Sequence, residues 1–130
     1  MEKEGESIPL SDEDKLKIEK IFSENNLEDF KIHNHYFRDK YTGVITKLPR
    51  HGIELNELKK IFDKKHSIKK GFKIKTSKGF LYTLCYKESE YIFVKIIYIF
   101  SEPLYIFSAM RIYRNLDKTI NEKYNFSLNE

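Results

Sequence analysis

The chain has 130 residues, 40% of them hydrophobic and 15% aromatic, with a net charge of +4 and a single cysteine. That length fits one domain, and ten Phe with nine Tyr exclude a disordered chain, whose hydrophobicity is too low to build a core. One cysteine excludes an internal disulfide, and the longest apolar run, Tyr91 to Phe100, is ten residues interrupted by Lys95, half of the roughly 20 that a membrane helix needs.

Met1 to Ser7 is acidic and polar, not basic then apolar as a signal peptide would be. A cytoplasmic protein without a membrane partner is expected. Residues 1–10 read as a flexible acidic N-terminus. Ser11, followed by Asp12, Glu13 and Asp14, predicts a helix start, because a serine caps the first turn and the helix dipole favours acids there. Ile18, Ile21 and Phe22 form one apolar face, and Asn25-Asn26 ends the helix. Phe30 to Phe37 alternates and reads as a strand. Thr42-Gly43 is a turn, Val44 to Leu48 a short apolar stretch, and Pro49 to Gly52 a break. From Glu54 to about Lys64 the spacing of Leu55, Leu58, Ile61 and Phe62 predicts a second helix with lysines opposite.

After this helix the period becomes two. Phe72 to Thr76 alternates apolar with basic residues, which leaves one face wet, and Ser77-Lys78-Gly79 supplies a hairpin turn. Phe80 to Tyr86, Tyr91 to Phe100 and Leu104 to Tyr113 follow as strands. Cys85 sits within the alternation as a buried small residue rather than a reactive thiol. Short strands joined by tight turns make a meander. The expected fold is α+β, with N-terminal helices packed on an antiparallel meander sheet of four strands, or of five or six. Residues 11–114 form the single domain and 115–130 a short helix or frayed tail.

Charge is segregated along the chain. Residues 1–30 carry four Lys against ten Asp/Glu, residues 31–80 fourteen Lys/Arg against four, and residues 81–130 six of each. A basic block of that density can neutralise phosphates, and counterion release then drives nucleic-acid affinity. The ordinary alternative is that these lysines solubilise an aromatic-rich domain.

Most catalytic engines are missing. The sequence has no phosphate-binding glycine loop, no Gly-x-Ser-x-Gly elbow and no dinucleotide fingerprint. No cofactor is expected. His33 and His35 share a strand face about 7 Å apart by strand geometry, but two imidazoles fall short of the three or four ligands of a zinc site. They are an outside candidate for metal and otherwise polar strand residues. Cleavage of RNA beside its 2′-hydroxyl needs only a base, an acid and cations. Lys47, Arg50 and His51 lie together before the second helix, and Arg111, Tyr113 and Arg114 close the last strand. A polar turn and a solvated strand end are the plain alternatives.

Arg50-His51-Gly52-Ile53, a helix from Glu54, and a meander ending in Ser108-Ala109-Met110-Arg111-Ile112-Tyr113 resemble the RelE/ParE/BrnT-like small ribonuclease toxins and the colicin-type RNase fold group. The family's His-Gly corresponds to His51-Gly52 and its Ser-Ala-Arg to Ser108-Ala109 and Arg111, with Met110 intervening. The resemblance covers roughly residues 44–114 and leaves the first helix and the His33/His35 strand outside. It implies a metal-independent endoribonuclease, often neutralised by an inhibitory protein partner. In that reading His51 and Tyr113 act as acid and base. Arg111 and Arg50 stabilise the transition state, and Lys47, Lys73, Lys75 and Arg114 guide the nucleic acid, RNA before DNA. Two alternatives stand beside it: a non-catalytic RNA- or DNA-binding module, and a protein-interaction or homodimeric accessory protein of viral or mobile-element type.

Overall fold

Ser11 and Asp14 start the first helix reciprocally: the Asp14 amide donates to Ser11 Oγ at 3.1 Å, and the Ser11 amide donates to Asp14 Oδ2 at 3.0 Å. The structure is a computed structural model that describes residues 5–32, 34–38, 41–43, 45–49 and 53–128; for 34–38 and 45–49 it describes strand pairing. In chain order the elements are β1 (Ser7–Pro9), α1 (Asp12–Glu24), β2 (Lys31–Ile32), β3 (Asn34–Arg38), β4 (Ile45–Pro49), α2 (Leu55–Phe62), β5 (Ile68–Thr76), β6 (Gly79–Ser89), β7 (Ile92–Ile99), β8 (Tyr105–Ile112) and α3 (Leu116–Thr119).

The four long strands β5 to β8 form the expected antiparallel meander, but the sheet has six strands in the order β1-β5-β6-β7-β8-β2. The sheet is mixed, because β2 runs parallel to β8. Its parallel sense follows from the route of the chain: β1 lies on one edge, and the segment containing α1 carries the chain to the other edge. The helices are not all N-terminal either, since α2 separates the strands and α3 follows β8. The alternating Phe30–Phe37 stretch is divided. Lys31–Ile32 joins the main sheet, and Asn34–Arg38 pairs with β4 in a separate two-stranded hairpin.

The core lies between one face of the sheet and the helices. Ile18 and Phe22 of α1 and Leu58, Ile61 and Phe62 of α2 cluster with Leu84, Val94, Ile96, Tyr98 and Ile106, all buried. Aromatic edges make much of the contact, with Phe22 and Phe62 ring centroids 5.3 Å apart and Phe30 and Phe62 5.4 Å apart, both edge-on. Two buried phenols, Tyr86 and Tyr98, satisfy one another at 2.6 Å, and burial pushes both hydroxyls well above the ordinary tyrosine range.

The opposite face is partly covered by the C-terminal segment, which is strapped down. Leu116 is buried against Cys85 and Phe93, with Ile112 and Ile120 packed on them. Further along, the Tyr124 ring lies 5.2 Å from that of Phe72. Asn125 bridges to Lys70 of β5, and Phe126 and Leu128 join the main core. Gly71 permits that arrival: a Cβ there would stand 2.8 Å from Leu10 and 3.2 Å from Phe126. Cys85 is buried as expected, and burial pushes its thiol up to about 12 against the opposing pull of Lys95 and Lys70.

Candidate nucleic-acid interface and the Arg111 cleft

Four lysines of the basic block, Lys59, Lys65, Lys70 and Lys73, are tied down by the chain itself. Lys73 is on β5 opposite Tyr82, so its side chain faces the helices and not the open side of the sheet; its ammonium reaches Asp14 Oδ2 at 3.0 Å. Burial works to raise the Asp14 carboxyl, but the Ser11 amide and Lys73 outweigh it and hold the group below the usual carboxylate range. Lys59 of α2 pairs with Glu28 at 3.4 Å. Lys65 donates to the Phe22 carbonyl at 2.7 Å and lies 5.4 Å from the Phe22 ring centre. Lys70, 2% exposed, donates to Asn125 and sits 3.6 Å from Asp117. Through the Asp14–Lys73 pair the acidic first helix meets the basic block within one molecule.

Summed by segment, the net charge falls on residues 31–52. Residues 31–52 contain five Lys/Arg and one Asp, and the rest of the chain contains nineteen Lys/Arg and nineteen Asp/Glu. The whole +4 thus belongs to the segment that leaves the sheet at β2, forms the β3–β4 hairpin and returns at the buried Ile53. Within the hairpin Tyr36 is the register partner of Lys47, and Arg38 of Ile45.

A second feature is built around Arg111. On β8 it stands opposite Val94, on the helical side of the sheet. Its Nε and Nη2 donate to Glu88 Oε1 at 3.3 and 3.1 Å, and Nη1 donates to Glu57 Oε2 at 3.3 Å. The Glu88 hydrogen bonds raise the guanidinium further above its usual range, against burial, and Glu57 adds to them. Around this cage is a cleft of 380 Å³ whose rim carries Lys60 from α2, Lys64 and His66 from the turn after it, and Lys87 from β6. Lys60 and Lys64 have no carboxylate at ion-pair distance among the described residues, whereas Lys87 lies 3.9 Å from Asp117.

The sequence-derived site residues are distributed as follows. Arg50, His51 and His33 lie outside the described residues. Lys47 and His35 are in the hairpin, with His35 paired to Leu48. Arg111 meets Glu57, the third residue of α2, so the end of β8 does come to the start of the second helix. Tyr113 falls beyond β8 and is 71% exposed; Arg114 is exposed as well. Lys73 is held by Asp14, while Lys75 is half-buried on the same face of β5. Sequence reasoning missed Glu57 and Glu88 as partners of Arg111. Glu57 and Lys60 share one side of α2 at helical spacing, a visible signal; Glu88 falls between the expected strands Phe80 to Tyr86 and Tyr91 to Phe100, whereas β6 runs on to Ser89.

Among the described residues, no three His, Cys, Asp or Glu side chains are grouped so as to hold a metal ion, and no helix is long and apolar enough to cross a membrane. Comparison with models of known families, with curated proteins and with solved structures finds no significant match.

Proposed function

We propose that the chain is a nucleic-acid-directed protein that takes the phosphate backbone of RNA on the segment 31–52. The observation that carries this reading is the charge distribution: the remainder is balanced, and the net +4 sits on one hairpin segment. Tyr36 and Lys47 are register partners in the two-stranded ribbon, an aromatic and a basic residue, the two types that single-strand binding combines. Outside this segment the charges sum to zero, so the body adds little long-range attraction once screening acts beyond about 8 Å at physiological salt.

Metal-independent endoribonuclease activity of the RelE/BrnT-like kind is the catalytic form of this proposal. The contact of Arg111 with α2 favours it, because it brings one predicted site group to the helix that directly follows Arg50 and His51 in the chain. A fluorescent single-stranded RNA titrated against the protein in EDTA tests both parts. Binding should be lost in Arg38→Glu/Lys47→Glu and retained in Lys60→Glu/Lys64→Glu, with circular dichroism confirming folding. Equal binding by the wild type and the hairpin variant would overturn the interface. RNA cleavage should be abolished in His51→Ala and in Arg111→Ala; cleavage unchanged in both would remove the nuclease reading while leaving binding intact.

A further inference from the structure

The Arg111 cleft is distinct from the hairpin and has a charge pattern of its own. Four cations, Lys60, Lys64, Lys87 and Arg111, face two carboxylates, Glu57 and Glu88. Among the residues lining the cleft the cations exceed the carboxylates by two, Asp117 lying outside it beside Lys87. Two of these cations, Lys60 on α2 and Lys64 just after it, are exposed, and Lys87 shares an outward carboxylate, Asp117, at 3.9 Å. Arg111 is different. Its planar fork is held on two sides at 3.1 to 3.3 Å, in a side chain only 27% exposed. That fork geometry is what a phosphate also uses, since guanidinium binds carboxylate and phosphate through the same paired N–H donors.

We propose that this cleft is a binding site for a phosphomonoester dianion, with Arg111 as its seat and Glu88 as the occupant that the phosphate displaces. Glu88 is the replaceable carboxylate because it takes two of the three guanidinium hydrogen bonds through one oxygen and stands near the end of β6, beside the turn to β7. Glu57 is fixed in the helix and keeps Arg111 directed into the cleft. A dianion matches the excess of two charges, whereas a phosphodiester offers only one. The ligand class is therefore a terminal phosphate, on a nucleotide or an RNA end, or free inorganic phosphate. At 380 Å³ the cleft is at the small end of ligand sites, which run from about 300 to 1,000 Å³. A mononucleotide fits that size and a folded polymer does not.

Calorimetric titration of the full chain with inorganic phosphate, uridine 3′-monophosphate, uridine and the diester uridylyl-uridine provides the test. Both monoester-type anions should bind, uridine should not, and the diester should bind at least about tenfold more weakly, a difference of one charge–charge contact. Glu88→Gln should tighten the monophosphate about tenfold by removing the competing anion. Arg111→Lys should weaken it by a similar factor, because the charge remains and the fork is lost. If phosphate alone binds and uridine 3′-monophosphate does not, the site is for free phosphate; if only the nucleotide binds, it is for a nucleotide end. Phosphate affinity equal in wild type, Glu88→Gln and Arg111→Lys would overturn the proposal and leave Arg111 as a brace between α2 and the sheet. So would a diester that binds as tightly as the monoester. The hairpin variant Arg38→Glu/Lys47→Glu should bind the monophosphate normally, so a failure of RNA binding there is distinguishable from a failure at the cleft.

Discussion

Replacing Asp14 tests whether the acidic first helix neutralises the basic block within the molecule. Asp14 does two things at once: it closes the helix start with Ser11 and it holds Lys73 at 3.0 Å. The side chains of Asp14 and Lys73 are 9% and 15% exposed, so screening by water is limited on both sides. Losing the helix-start contact should cost about 1 kcal/mol. Leaving Lys73 partly buried without its partner should add about 1–2 kcal/mol. Asp14→Ala is therefore expected to destabilise the fold by about 2–3 kcal/mol, and Lys73→Met by less, since methionine keeps the stem packed against Phe80. The double variant should recover part of the loss, with a coupling energy of about 1–2 kcal/mol in a mutant cycle. Urea unfolding followed by far-ultraviolet circular dichroism measures all four proteins. The pH profile gives a second reading. The Asp14 carboxyl is held below its ordinary value in the fold, so its contribution is present above the unfolded pKa and is lost as pH falls through the lower folded one. Asp14→Asn should flatten the acid limb of stability against pH. A coupling energy near zero together with an unchanged acid limb would refute the argument.

Three further predictions concern the core and the strap. Tyr98→Phe should cost about 1–3 kcal/mol because the buried Tyr86 hydroxyl loses its 2.6 Å partner; Tyr86→Phe/Tyr98→Phe should be closer to wild type, as thermal unfolding would show. Leu116→Ala should cost about 2–4 kcal/mol and increase proteolysis after residue 112, because Leu116 is 1% exposed and anchors the strap. Cys85, fully buried with its thiol pushed up to about 12, should resist a thiol reagent at pH 8 in the folded protein and react on unfolding; rapid reaction in native buffer would contradict the packing.

The elements that sequence made legible are those decided by local chemistry. Ser11 with three acids caps a helix wherever it occurs, and the Leu55, Leu58, Ile61, Phe62 spacing gives α2 within about a residue at its start. The meander β5 to β8 follows from alternation and short turns. The sense of β2 was not legible, because two residues beside β8 carry no periodicity, and parallel pairing depends on where α1 delivers the chain. The phase of β5 also needed the third dimension. Alternating Phe72, Ile74 and Lys73, Lys75 indicates two faces without saying which is wet. A carboxylate buried on α1 draws Lys73 inward, and the tail covers Phe72 through Tyr124. The same holds for Arg111. Its approach to α2 could be posed as a question from sequence, but its two carboxylates come from residues 54 and 23 positions away.

The distinction between sequence charge and available charge has a measurable consequence in salt. Counterion release lowers the logarithm of affinity for single strands by about 0.7 per phosphate contact for each unit of log salt. If all fourteen Lys/Arg of residues 31–80 met phosphate, the slope would approach about −10. The structure removes Lys59, Lys65, Lys70 and Lys73 into contacts with Glu28, the Phe22 carbonyl, Asp117 and Asp14. Binding confined to the five cations of residues 31–52 limits the slope to about −3.5. Gel-shift titrations of a uridine-rich RNA from 50 to 300 mM salt would separate the two values, with ion concentration as the only variable. A slope near the shallow limit, abolished by Arg38→Glu/Lys47→Glu, is the expected result. A slope of about −7 would mean that Lys60, Lys64, Lys69, Lys75 and Lys78, the other cations of residues 31–80 outside these contacts, also meet phosphate, and the hairpin would no longer account for recognition.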